Sequence, residues 1–271
     1  MIILLGISIP LIVLVCAYFI LEYSWLIPAP RGLPILMYHK ICEQPPDGLT
    51  LSPAQFDEQM WHLKDKGYHP ISFKTLKSLL STGAPLPAKA IILTFDDAYL
   101  NFKEQAFPIL EKYQFSATVF IPVAFIGKTN LWDQGEDMLM SSQDLKQLSN
   151  KDLVEFGVHS FLHKSYKEMN VDDMKEDLDN CKKTLDFYGI PFTKVLAYPY
   201  GKYPKKDPLL KKEMFMLFQQ AGLDFAVRIG NRINRYPIRL PYEMKRIDIR
   251  GRDRFFVFRI KVKKGRTKLF S

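Results

Sequence analysis

The first pattern in the chain is an uncharged apolar run. Residues 2–21 contain no Asp, Glu, Lys or Arg, and about 20 helical residues at ~1.5 Å each cross a bilayer's hydrocarbon core. Tyr18, Tyr23 and Trp25 gather at its far end, where interfacial aromatics belong. A cleavable signal has a shorter apolar stretch, a basic start and a small-x-small site, and this run has none of them. Pro28-Ala29-Pro30-Arg31-Gly32 then interrupts the pattern as a linker does. The expected organisation is an N-terminal transmembrane anchor over 1–27, a linker over 28–33 and one folded domain over 34–271.

From residue 33 onward, short apolar runs alternate with stretches of helical period. Leu33–Tyr38, Ala90–Phe95, Ala117–Ile121, Val154–Val158, Lys194–Tyr198 and Asp224–Val227 predict strands. Ser52-Pro53, an N-cap followed by a first-turn proline, predicts a helix that stops at Gly67. Further helices are expected over Tyr99–Tyr113, with Pro108 as a kink, over Val171–Tyr188 and over Pro208–Ala221. Phe255–Lys264 alternates apolar and basic residues and reads as a basic edge strand. Strands alternating with helices place the domain in the α/β class, as a parallel sheet or barrel.

Charge and cysteines narrow the picture. The 271 residues carry a net charge of +9. A basic surface suits anionic lipid or a cell-envelope polymer. No aromatic-basic RNA motif or zinc-finger spacing is present, so nucleic acid is not an expected partner. Cys16, Cys42 and Cys181 show neither a CxxC motif nor a disulfide framework, and free thiols are expected.

The polar residues with chemical potential sit where predicted strands end. His39 follows the first strand, Asp96-Asp97 the second, His159 the run Val154–Val158, and Pro199-Tyr200 the run Lys194–Tyr198. In α/β barrels the active site collects at the carboxyl ends of the strands. His159 and His163 have a spacing at which two imidazoles can face one ion. Adjacent buried carboxylates need neutralising by a cation or metal, although an N-cap with a neighbouring turn acid would account for one of them. One carboxylate and two imidazoles make a three-ligand site with open positions. It could activate water with the second carboxylate as base, or hold iron for oxygen chemistry.

Thr94-Phe95-Asp96-Asp97 together with His159-Ser160-Phe161-Leu162-His163 resembles the first two motifs of the NodB-homology polysaccharide deacetylases, the family-four carbohydrate esterases. Ala197-Tyr198-Pro199-Tyr200-Gly201 is similar to the third motif. Met37-Tyr38-His39 and the Tyr-Pro-Tyr-Gly form look most like the poly-N-acetylglucosamine deacetylase branch. The resemblance covers about residues 34–250 and implies an irregular, truncated (β/α)7-type barrel. It implies removal of N-acetyl groups from an N-acetylhexosamine polysaccharide, with Asp96 as base and Asp97, His159 and His163 holding a divalent metal, most simply Zn2+. The backbone N–H of Tyr200 would help hold the oxyanion, and Tyr200, Pro199 and Trp132 would line the sugar site. The family's orienting Arg of the third motif is replaced here by Ala197 or a neighbour, and Arg246 is the candidate substitute. The family's late general-acid His is also absent, since all five His lie at or before 163. His39 is then the candidate acid, with His62 and His69 expected at the surface. The resemblance places the domain outside the cytoplasm, in the cell envelope. Peptidoglycan, chitin oligomers and lipid-linked sugars remain alternative substrates, and a weakly catalytic carbohydrate-binding protein on the same fold is the alternative class.

Overall fold

The computed structural model describes residues 11–16, 30–133 and 135–267. Ten strands are formed by these residues: β1 (Ile35–Tyr38), β2 (Lys40–Ile41), β3 (Thr50–Leu51), β4 (His69–Pro70), β5 (Ala90–Phe95), β6 (Ala117–Ile121), β7 (Val154–Val158), β8 (Val195–Ala197), β9 (Phe225–Ile229) and β10 (Met244–Asp248). β1 pairs in parallel with both β5 and β10, and the order β1-β10-β9-β8-β7-β6-β5 therefore closes into a seven-stranded parallel barrel. β4 extends β5 at the side, and β2 and β3 form a separate small ribbon. The expected barrel class is observed. Most of the proposed span 2–21 lies outside the described residues. Residues 11–16 are helical, and no helix among the described residues is long and apolar enough to cross a membrane.

Side-chain alternation along the strands sorts residues into two clusters. Leu36 and Tyr38 of β1, Leu93 and Phe95 of β5 and Val119 and Ile121 of β6 pack with the surrounding helices. Ile35, Ile92, Phe120, Val195, Ala197, Phe225, Val227 and Met244 form the second cluster, inside the barrel. Further along the inward rows stand Asp96, four residues past Ile92, Arg246, two past Met244, and His159, two past Gly157. The period of two thus carries apolar filling upward into polar chemistry at the strand ends.

The amino-terminal end of the barrel is plugged. The helix Phe73–Thr82, which the sequence pattern did not reveal, inserts Phe73 among the interior residues. Buried Glu155 of β7 accepts from the Phe73 N–H at 2.6 Å, the Lys74 N–H at 3.3 Å and the hydroxyls of Thr118 and Thr193 at 2.7 and 3.1 Å. These donors stabilise a carboxylate that burial would otherwise penalise.

Two expected elements differ. Phe255–Lys264 is an α-helix, not an edge strand. Phe255, Phe258 and Val262 share one helical face, and Phe255 and Phe258 meet His62 edge-on at 5.4 and 6.2 Å. The period of two was incidental, and burial of the i, i+3, i+7 face decides the conformation. His62 is accordingly buried, whereas His69 is exposed as expected. The helix begun at Leu100 contains a π turn, Phe102–Ala106, ahead of Pro108. A proline lacks the N–H that regular α register needs there. The helix Ser142–Ser149 and strand β10 were also not anticipated. Cys16, Cys42 and Cys181 are free thiols.

Gly157 of β7 makes room for the barrel filling. A Cβ there would stand 2.6 Å from the Phe120 ring and 2.8 Å from the Val195 carbonyl oxygen. Gly157→Ala is expected to cost about 1–3 kcal/mol, the usual range for overpacking. Urea unfolding checks this as a lowered midpoint with an unchanged slope.

Candidate functional site

The carboxyl end of the barrel opens into a cavity of about 390 Å³ whose lining includes His39, Asp96, Asp97, His159, His163 and Tyr200. Asp96 and Asp97 follow β5 directly and are 3% and 5% exposed. Asp97 turns into the left-handed region at φ 71°, and Ala98 follows at φ 53°. The reversal separates the neighbouring carboxylates, which meet different partners.

Asp96 belongs to Arg246. The guanidinium, 1% exposed on β10, donates from Nη1 to Oδ1 at 2.5 Å and from Nη2 to Oδ2 at 2.7 Å. Its Nη1 also reaches the Thr94 hydroxyl at 3.3 Å, and its Cζ lies 5.3 Å from the Phe120 ring centre. Burial alone would raise the Asp96 carboxyl; Arg246, with His159 and His39 nearby, outweighs it and holds the group well below the ordinary carboxylate range. His39 places Nε2 3.8 Å from Asp96 Oδ2, and its buried Nδ1 has no hydrogen-bond partner.

Asp97 belongs to the histidines. Its Oδ1 lies 3.6 Å from His159 Nε2 and 3.2 Å from His163 Nε2. One ligand atom from each of the three residues fits within 4.8 Å of the others. The outer nitrogens are engaged elsewhere. His159 Nδ1 lies 2.7 Å from the Ala197 carbonyl oxygen, which can only accept, so this nitrogen carries the proton and Nε2 keeps a lone pair. Burial, opposed by Asp96 and Asp97, brings the His159 imidazole down to about 4, leaving it neutral at pH 7. His163 Nδ1 lies 3.1 Å from the Tyr200 hydroxyl. Asp97 Oδ1 is buried without a hydrogen-bond partner, an arrangement that suits a cation between it and the two imidazoles. This donor set fits a divalent ion with open positions.

The loop carrying the histidines is held from beneath by Asp177, a residue that sequence reasoning passed over. On the helix Val171–Phe187, Asp177 accepts from Ser160 Oγ at 2.7 Å, the Phe161 N–H at 2.8 Å and the Tyr166 hydroxyl at 2.7 Å. Ser160 and His163 themselves take φ of 65° and 55°. A lone acid on the apolar side of an amphipathic helix was the available signal. Asp248 and Arg250, joined at 2.6 Å, also line the cavity and were not singled out.

Of the residues expected to meet the sugar, Trp132 stacks on the His163 ring with centroids 4.4 Å apart at 25°. Tyr200 is half exposed, with φ 58°. Pro199 is different: it is buried and not among the cavity-lining residues. It begins a 3-10 turn and shapes the backbone that presents Tyr200, so its ring is unavailable to a ligand.

A polysaccharide deacetylase family model matches residues 83–215. The chain is 31% identical over 187 residues to a poly-beta-1,6-N-acetyl-D-glucosamine N-deacetylase of Staphylococcus aureus, covering 65% of this chain and 60% of that protein. The chain spans about three fifths of the length of such curated relatives. Among solved structures, the Streptococcus pyogenes deacetylase PplD in complex with acetate superposes with a TM-score of 0.67 at 26% identity, covering 82% of this chain and 94% of that one. IcaB from Ammonifex degensii shares the fold with a TM-score of 0.70 at 18% identity, covering 88% and 98% of the two chains.

The Asp96–Arg246 pair generates a stability prediction. Arg246→Met strands a buried carboxylate and is expected to cost about 3–5 kcal/mol, whereas adding Asp96→Leu should restore most of the loss. Denaturant unfolding of the single and double variants reads the difference as a coupling energy.

Proposed function

We propose a function for this chain, which belongs to the polysaccharide deacetylase family: metal-dependent removal of N-acetyl groups from an N-acetylhexosamine polymer. The carrying observation is the buried, unpartnered Asp97 Oδ1 facing two imidazole nitrogens, beside a second carboxylate kept ionised by Arg246. The proposed polymer is of the poly-N-acetylglucosamine kind, after the name of the Staphylococcus relative. The apolar span 2–21 is proposed as a membrane anchor, with the catalytic domain in the cell envelope.

Asp97, His159 and His163 would hold the ion, and two imidazoles with one carboxylate suit Zn2+. Such an ion, when bound, supplies a lowered pKa for water and polarisation of the acetyl carbonyl. Asp96 takes the proton from the attacking water as general base. Arg246 weakens Asp96 as a base but keeps it ionised and aimed, which makes Arg246 a positioning residue. The backbone N–H of Tyr200 supports the oxyanion as charge develops on the carbonyl oxygen. The amine leaving group needs a proton as its C–N bond breaks, and His39 beside Asp96 supplies it. Trp132 and the Tyr200 ring offer aromatic surface to the sugar.

The two acids should fail differently. Asp97→Ala should lose bound metal, and Asp96→Asn should keep the metal while turnover falls by about 10²–10⁴. Elemental analysis, with mass spectrometry of deacetylated poly-N-acetylglucosamine oligomers, measures both. Wild-type protein that binds metal yet releases acetate from no N-acetylhexosamine polymer would refute the reading.

His39→Ala should leave the unfolding midpoint and metal content intact and lower kcat by about 10²–10⁴, with KM little changed. Near-normal kcat would show that the leaving amine takes its proton elsewhere.

A further inference from the structure

A second cleft lies at the other end of the barrel. It encloses about 620 Å³ along residues 232–245, and Arg232, Arg235, Arg239 and Lys245 all line it. Glu243, the only carboxylate in that lining, already accepts from the Tyr203 hydroxyl at 2.5 Å and stands 3.7 Å from Lys211 Nζ. No carboxylate of the described residues lies within ion-pair distance of Arg235, Arg239 or Lys245. Like charges crowd instead: burial and the nearby Arg228 and Arg232 lower the Lys245 ammonium from its ordinary value. Arg235, Arg239 and Lys245, gathered along a lining with one carboxylate that is already engaged by Tyr203 and Lys211, favour a ligand carrying negative charge.

The cleft's position is set by its contacts. Asn234 exchanges backbone hydrogen bonds with Leu33 at 2.8 and 3.1 Å, and its side-chain oxygen accepts from the Lys245 N–H at 2.8 Å. The Tyr236 hydroxyl donates to the Ala84 carbonyl at 2.6 Å. Leu33 precedes β1, Ala84 precedes β5 and Lys245 is the second residue of β10. The cleft therefore sits at the amino-terminal strand ends, whereas His39, Asp96 and His159 follow the carboxyl ends. Arg31-Gly32-Leu33, the chain arriving from the apolar span 2–21, runs directly past it. A Cβ on Gly32 would come within 2.0 Å of the Asn234 carbonyl oxygen. Leu240, 62% exposed, adds an apolar group to the rim.

We propose that this basic cleft docks on anionic lipid, taking headgroup phosphates between Arg235, Arg239 and Lys245. The domain then rests on the membrane by its amino-terminal end, and the catalytic cavity opens away from the bilayer toward polymer. The orientation rests on the anchor reading of residues 2–21; the lipid contact has its own charge argument. A short tether and a basic face act together, because the linker keeps the cleft within a few residues' reach of the surface potential.

The test uses the full chain in nanodiscs of phosphatidylcholine, with and without phosphatidylglycerol, and reads hydrogen–deuterium exchange across 232–240. Exchange should slow on phosphatidylglycerol discs only, and the slowing should vanish in high salt. At about fivefold per basic residue, Arg235→Gln with Arg239→Gln should weaken docking about thirtyfold. Both sites are exposed, so folding is not at risk, and the Arg→Lys pair should retain docking. Equal exchange on both disc types overturns the proposal. Equal slowing by soluble polyphosphate without lipid overturns the lipid assignment in favour of a phosphate polymer. Loss of the protein from phosphatidylcholine discs overturns the anchor reading alone, since phosphatidylglycerol dependence at 232–240 is read separately.

Discussion

The architecture depends on one buried ion pair. Arg246 and Asp96 are 150 positions apart, yet the guanidinium and carboxylate meet inside the barrel through two hydrogen bonds. β1 lies between the strands that carry them and pairs with both, so the pair sits where the sheet closes on itself. Neither charge is tolerable there alone. Together they exchange hydration for a bidentate contact, with the Phe120 ring beneath the guanidinium and Thr94 beside it. Gly157 extends the same dependence downward, because only its missing side chain leaves space for Phe120.

Around that pair the backbone is held in uncommon conformations. Of the eight non-glycine residues with positive φ among the described residues, Asp97, His163 and Tyr200 line the cavity, and Ala98 and Ser160 directly follow the lining residues Asp97 and His159. Each such residue costs about 1–3 kcal/mol and persists only where surrounding contacts over-determine it. Asp177 provides such contacts for the histidine loop by accepting from three donors around it. The cavity is thus assembled from strained turns fixed by buried polar anchors, an arrangement that presents several side chains to one small volume without reorganisation.

The two ends of the barrel differ in kind. At the amino-terminal end Glu155 caps the helix Phe73–Thr82 and seals the interior, leaving only an outer basic cleft beside the incoming chain. At the carboxyl end the inward rows finish in Asp96, His159 and Arg246 and leave the interior open. A parallel barrel enforces this division, because every strand delivers its following loop to the same end.

Much of the site was legible in the sequence because two local rules suffice for it. Apolar strand runs predict where strands stop, and parallel order then brings His39, Asp96, Asp97, His159 and Tyr200 to one end. The barrel class follows from the same alternation. β10 was illegible because its inward residues include Arg246 and Asp248, so Met-Lys-Arg-Ile-Asp shows no apolar period. The helix Phe255–Lys264 carried both periods at once, and only the face packed on His62 chose between them. Asp177 shows locally only as an acid on the apolar side of its helix, which does not say what it holds, and the buried position of Pro199 has no local signature. Hydrophobic patterning records which face a residue turns to the core. It does not record which distant charge will neutralise a buried one, and that compensation exists only once the barrel has closed.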